Sequence, residues 1–285
     1  MSGSLHAEFH AQRSAMEAKY GAVLASTRDG RTASLLLVAA GVLLYGFGLV
    51  ELDISPFRIW HGLGELGRIA SLMLPPSPKT HLPLYLHALF ETVSIALIGT
   101  LIASVLAFPI GFLAARNVVA NRVLHFATRR ALDTVRSIDT LIWALIWIDV
   151  VGLGPFAGAL AIACSDLGSL AKLMSEAIET ADHRPIDGVL SSGGSRLHRL
   201  RFGIIPQILP VFASQVLYFF ESNIRSATII GIVGGGGVGL YLYEEIRVLE
   251  WRQVSFLILL VLVTVAGIDV LSQRLRAAII GRRGT

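Results

Sequence analysis

Glu221 and Arg225 stand four residues apart inside an apolar run, in the company of Ser222, Asn223, Ser226 and Thr228. That spacing puts carboxylate and guanidinium on one helix face, where they can pair. Ionisable groups at membrane depth are costly and face a bundle interior or a wet pathway. Two readings follow. Arg225 attracts an anion into a pathway or gate lined by Glu221, Asn223, Ser226 and Thr228. Alternatively, the pair is an internal or dimer-seam ion pair that fixes helix packing. A second constellation runs Asp187-Gly188-Val189, then Gly193-Gly194, then Arg196, Arg199, Arg201 and Pro206. Its glycines permit a tight turn between two short helices, a form suited to docking on another protein.

Other patterns carry less chemistry. Gly234 to Gly239 satisfies G-x-G-x-x-G, but no strand precedes it and it follows an apolar run. A dinucleotide site needs that strand–turn–helix setting, so the segment is expected to be a flexible turn or a close-packed re-entrant segment at the outer mouth. No Gly-Lys-Ser/Thr occurs, so ATP, if used, would bind another polypeptide. Eight histidines lack metal-ligand spacing, and the one cysteine, Cys164, excludes an internal disulfide. The chain is therefore expected to hold no catalytic residue, metal or cofactor. Trp143 and Trp147 share a helix face and read as packing or interface residues. Asp133 and Asp139 flank Arg136 and suggest local pairs, while Glu91, Asp149, Asp166 and Asp269 lie on faces the pattern does not orient.

The elements that would position these residues are membrane helices. Of the 285 residues 54% are hydrophobic and only 15% charged, against roughly 25% charged in soluble domains. Six apolar runs appear: Leu35 to Val50, Ala88 to Ala115, Ile138 to Val151, Phe156 to Met174, Ile204 to Val233 and Val254 to Val270. The second contains Pro109 and Gly111, which membrane helices accept. Basic residues then orient the runs. Four lie in the N-terminal arm, five between the second and third runs, five from Lys172 to Arg201 and four in the tail. The other side has only Arg58, Arg68, Lys79, Arg247 and Arg252. Cytoplasmic loops collect Lys and Arg, so both termini are expected in the cytoplasm. The calculated pI near 9.5 is thus a topology signal, and no nucleic-acid partner is expected. No apolar core with a cleavage site follows a short basic start, which argues against a signal peptide.

The expected layout is an all-α membrane protein. Residues 1–32 form a cytoplasmic arm, and 33–285 a transmembrane domain with a cytoplasmic loop at about 175–203. On the outer side Phe57, Trp60, Leu63, Leu66, Ala70 and Met73 repeat every three to four residues before Pro75-Pro76. This predicts an amphipathic helix, either lying on the outer interface or forming a small cap on the bundle.

The loop resembles the conserved cytoplasmic loop of ABC importer permeases. That pattern is Glu-Ala-Ala, three residues, Gly, nine residues, Ile, one residue, Leu-Pro. Here the acid is Asp187, the glycine Gly193 and the final pair Ile205-Pro206, while the two alanines are replaced by Gly188 and Val189 and the isoleucine by Gly203. Gly154-Pro155-Phe156-Ala157-Gly158, the stretch from Lys172 to Glu179, Gly203 to Pro210, Glu221 to Thr228 and Gly231 to Gly234 look like the permease of phosphonate ABC importers. So does the external Leu52-Asp53-Ile54-Ser55-Pro56.

The resemblance implies a type I importer permease, with Asp187, Gly188 and Gly193 as keys of a coupling helix. Arg196, Arg199 and Arg201 would face the ATPase or anionic lipid, or serve only as solvated positive-inside charges. It also implies a second copy of the chain, two ATP-binding cassette subunits carrying ATP and Mg, an extracytoplasmic binding protein, and phosphonate, phosphate or phosphite as cargo. The setting would be the bacterial inner membrane. An integral membrane enzyme would need a catalytic cluster at one membrane face, and a stand-alone secondary transporter would show internal repeats. Neither signature appears.

Overall fold

The computed structural model describes residues 27–53, 55–119 and 121–281. Most of the N-terminal arm, Ile54, and the tail residues Arg282 and Arg283 lie outside the described residues. The chain divides into two units, Met1–Arg68 and Ile69–Thr285.

The first unit holds α1 (Thr27–Glu51) and most of α2 (Pro56–Leu72). Helix α1 carries no charged residue from Thr32 to Val50 and buries none of its described side chains, with Leu37 and Leu44 about three-quarters exposed. A helix of this kind needs hydrocarbon around it. Helix α2 opens on Pro56, whose fixed φ suits a first helical position, and Arg58 pairs with Asp53. It ends at Leu72, short of Pro75, and Phe57, Trp60, Leu63 and Leu66 are all exposed. The expected amphipathic helix is therefore present.

The second unit is a helix bundle. Its elements are α3 (Leu82–Ala114), α4 (Arg122–Ser137), α5 (Thr140–Val151), α6 (Pro155–Glu179), α7 (His183–Ser191), α8 (Arg196–His198), α9 (Ile205–Ile232), α10 (Val238–Arg247) and α11 (Trp251–Gly281). A π-helical turn, Arg199–Ile204, joins α8 to α9.

Five helices among the described residues are long and apolar enough to span a bilayer: α1, α3, α6, α11 and the stretch through α9. The third expected span is the exception. Helix α5 has 12 residues and reaches about 18 Å at 1.5 Å per residue, short of the roughly 30 Å of hydrocarbon. Asp139 ends its run, accepting a hydrogen bond from Leu141 N at 2.8 Å as an N-cap. The expectation of a local Asp139–Arg136 pair does not hold, because that carboxylate caps the helix. Asp133 likewise turns from Arg136 to Lys172 Nζ (2.9 Å) and Arg130 (3.4 Å). The hydrogen bond from Lys172 holds its carboxyl below the usual range.

Helix α6 is the centre, packed along α3 and touching α4, α5 and α9. Small residues set the spacing. Ala96, Gly99, Thr100, Ala103, Ala107 and Gly111 are buried along α3, and Ala157, Ala161, Gly168, Ala171 and Ser175 along α6. A methyl group at Gly99 would stand 2.8 Å from the Ala159 carbonyl oxygen, so the two backbones are near contact. This is the small-residue packing that membrane helices use where hydrophobic drive is absent. Trp143 and Trp147 of α5 pack against the core formed by α3, α6 and α9.

The glycine segment between α9 and α10 is a close-packed turn. Gly236 and Gly237 have φ of +80° and +73°, a conformation that favours glycine. Val238 N donates to Thr92 Oγ1 at 2.8 Å, and Gly154 N donates to Gly234 O at 3.0 Å. Gly239 then lets α10 lie against the Thr228 carbonyl of α9. Nearby, the buried Tyr85 hydroxyl donates toward Glu245 Oε1 at 2.9 Å, and Lys79 pairs with Glu250 at 2.7 Å.

Replacing Gly239 by alanine drives a methyl group into the Thr228 carbonyl. It should cost about 1–3 kcal/mol, read as a lower Tm of the purified protein in detergent. Gly267→Ala, which has open space around it, is the control and should hold or slightly raise the Tm. Equal Tm values for the two variants would show that the α9–α10 contact is not tight.

Candidate functional site

The loop after α6 is built to be held at its base and open at its tip. Asp182 caps α7 by accepting from Arg184 N at 3.0 Å. Gln207 of α9 spans the base: its Oε1 accepts from Asp182 N at 2.9 Å, and its Nε2 donates to Gly203 O at 2.6 Å. Ile186, the buried residue of α7, rests on Gly203, where an added methyl group would come within 3.1 Å of Ile186 Cα. The glycine standing where the loop pattern has isoleucine is thus the seat of α7. Helix α7 then ends on Gly193, at φ +81°, with its N–H bonded to Leu190 O at 3.0 Å. A left-handed residue just past a helix end is the usual glycine cap.

The expected coupling residues separate by role. Asp187, Gly188 and Arg196 are exposed at the tip, beside Leu190 and Leu197, the latter 76% exposed. A side chain at Gly188 would meet open space, so nothing inside the chain demands glycine there. Arg199 points the other way: its guanidinium donates to Asn117 O at 3.1 Å, clipping the π-helical turn to the α3–α4 connection. Pro206 sits in the first turn of α9, directly after the π-helical turn.

The polar stretch of α9 is divided between faces. Glu221 is nearly buried, and its closest cationic partner is Arg276 of α11, Nη2 to Oε2 at 3.0 Å. Arg225 reaches the other oxygen only at 3.9 Å, with half its side chain exposed. The sequence pattern groups Arg276 with the tail charges, because nothing local marks α11 as continuing to Gly281. Asn223 faces the bundle, donating from Nδ2 to Thr100 Oγ1 at 2.8 Å and bonding Asp166 Oδ2. Thr100, Asp166 and Asn223 form a buried polar node across α3, α6 and α9. Ser226 and Thr228 turn back on carbonyls of their own helix, Ser222 O and Ile224 O, a common use of hydroxyls in helices. Of the five expected pathway residues, Arg225 is the exposed one.

A cavity of about 550 Å³ opens beside Arg276, lined on α9 by Pro210, Ser214, Gln215 and Tyr218. Gln215 Oε1 has no hydrogen-bond partner among the described residues. The sequence reading missed this face, since a lone Gln and Tyr in an apolar run carry no spacing signal.

Removing Arg276 should cost more than removing Arg225. Arg276→Gln leaves a nearly buried carboxylate without its close partner, which at this partial burial is expected to cost about 1–3 kcal/mol. Arg225→Gln should stay within about 1 kcal/mol. Unfolding of the two purified variants measures the difference, and equal costs would remove the priority given to the Arg276 pair.

Residues 107–283 match the family model described as "Binding-protein-dependent transport system inner membrane component". The chain is 37% identical over 223 residues to a putative phosphite transport system permease protein, HtxC, of Stutzerimonas stutzeri, covering 78% of this chain and 79% of that one. It is 35% identical over 231 residues to the phosphate-import permease protein PhnE of Mycolicibacterium smegmatis, covering 81% of this chain and 43% of the longer relative. Among solved structures, a chain of the inward-facing MetNI methionine ABC transporter superposes with a TM-score of 0.63 at 18% identity. That match covers 71% of this chain and 99% of the other, a likeness of fold.

Proposed function

This chain belongs to the family of binding-protein-dependent transport system inner membrane components, and from that premise we propose that it forms, with a second copy of itself, the pathway of an ATP-driven oxyanion importer. The fold is that of type I importer permeases, and the protein is a multi-pass inner-membrane permease component. The cargo proposed is a phosphonate or a related oxyanion, phosphate or phosphite. The printed functions of the relatives support that class. Transport proceeds by alternating access. A separate subunit hydrolyses ATP, with Mg, and an extracytoplasmic binding protein delivers the cargo. No residue of this chain does covalent chemistry in this scheme.

The observation that carries the reading is the α7–α8 segment. It is clipped to the bundle at Gln207, Ile186 and Arg199, and it presents Asp187, Gly188, Leu190, Arg196 and Leu197 outward. A rigid base with an exposed polar and apolar tip is what force transfer from another protein requires. In this scheme both termini are cytoplasmic. Helix α5 makes the third, short crossing, and α4 and α7–α8 lie on the basic, cytoplasmic side. Arg225 and the cavity beside Arg276 supply the cationic part of each half-pathway, while Glu221, Asn223, Ser226 and Thr228 of the same helix stretch are engaged within the bundle.

Gly193→Leu places a branched side chain at positive φ, a strain of roughly 1–2 kcal/mol, at the end of the docking helix. Uptake should collapse while the assembled transporter still hydrolyses ATP. Wild-type uptake with normally coupled ATPase would remove α7 from the coupling role. Arg225→Glu reverses the exposed intramembrane charge. Uptake of phosphonate, phosphite and phosphate in a deletion strain should fall by tenfold or more with assembly intact, and unchanged uptake would dispose of the pathway role.

A further inference from the structure

A second cationic cavity lies away from the α9 pathway face, at the α3–α4 connection. It encloses about 530 Å³ and is lined by Arg116, Arg122, His125, Phe126, Arg129 and Arg130. Local partners account for part of this charge. Arg129 Nη2 holds both oxygens of Glu179 at 3.0 Å, and Arg116 N donates to Glu179 Oε1 at 2.8 Å. Arg130 is engaged by Asp133 at 3.4 Å and lies over the Phe126 ring at 5.6 Å. The guanidinium groups of Arg116 and Arg122 have no ion pair or hydrogen bond among the described residues. Neither do His125 Nε2 and Arg129 Nε, both buried.

Each guanidinium carries five donors in a fixed fork and no acceptor. Two of them on one concave wall, with no carboxylate left over, are arranged for a tetrahedral oxyanion bound through paired N–H···O contacts. The lining also carries Phe126 of α4, which is 63% exposed. We propose that this cavity binds a phosphate oxyanion, either free or as the headgroup of an anionic phospholipid whose chains cover Phe126. The site is separate from the transport pathway. It also adjoins the coupling segment, because Asn117, next to Arg116, is the residue that Arg199 grips. The proposal rests on the permease reading only in assigning this end of the bundle to the cytoplasmic leaflet.

The test uses the full chain in an uncharged detergent. It is titrated with radiolabelled inorganic phosphate and, separately, with short-chain phosphatidylglycerol. Variants are Arg116→Gln with Arg122→Gln, each alone, and Arg274→Gln, an exposed arginine outside the cavity. Thermal unfolding checks that each is folded, and the single variants serve if the double variant is not. At least one probe should show a saturable component that the double variant weakens about tenfold or more and Arg274→Gln leaves in place. Phosphate alone identifies a soluble anion, and phosphatidylglycerol alone a lipid headgroup. If neither probe saturates, or if Arg274→Gln weakens binding as much as the cavity variants do, the site is overturned. Loss of the uptake phenotype with this binding intact would count against the transport reading and leave the cavity standing.

Discussion

Lipid gives helices no hydrophobic reason to associate, because tails are as apolar as the side chains they would replace. What holds this bundle is therefore contact at short range, and α3 against α6 supplies most of it. The buried Ala, Gly and Thr residues of α3 leave no side chain between the two backbones at Gly99. Once that distance is set, Thr100 and Asp166 face each other closely enough for Asn223 of α9 to bond both. A looser pair would leave three buried polar groups unsatisfied, at a cost of about 1–3 kcal/mol each. The seam and the node therefore support each other, and α9 is registered against both.

That register is transmitted to the ends of the bundle. At one end the glycine turn locks onto Thr92 and Gly154, the N-terminal reaches of the same two helices. At the other, Glu179 closes α6 onto Arg129 and the Arg116 backbone, and Asn117 receives Arg199. The segment that presents Asp187 and Gly188 is thus attached to the bundle through Gln207 of α9 and through the grip of Arg199 on the α3–α4 connection, and not merely through its two peptide ends. The tip is thereby joined to helices that share the central seam. Coupling by rigid elements needs such a connection.

The charged groups divide by burial. Arg225, Arg196, Arg116 and Arg122 are exposed and available to partners, whereas Arg129, Arg199 and Arg276 are half-buried and hold the molecule together. All seven are the same residue type in similarly basic segments. The difference lies in whether a carboxylate or a carbonyl from another element comes within reach.

Hydrophobicity and charge placement in the sequence alone determined the membrane helices and marked out the polar loop between α6 and α9. Long apolar runs have one physical solution in lipid, a self-bonded helix, and Asp187 to Pro206 carries its turn chemistry locally in Gly193 and Pro206. The amphipathic α2 was legible for the same reason, from a period of three to four residues. Three things came only from the tertiary structure. Helix α5 is half a span, because Asp139 caps a helix that hydropathy alone extends. Glu221 belongs to Arg276, 55 residues away, more than to Arg225 four residues away. The polar stretch of α9 splits into a face bonded to Asp166 and a face left open. Periodicity places residues on one face of their own helix but says nothing of what stands opposite, and for a buried charge the opposite side decides its role.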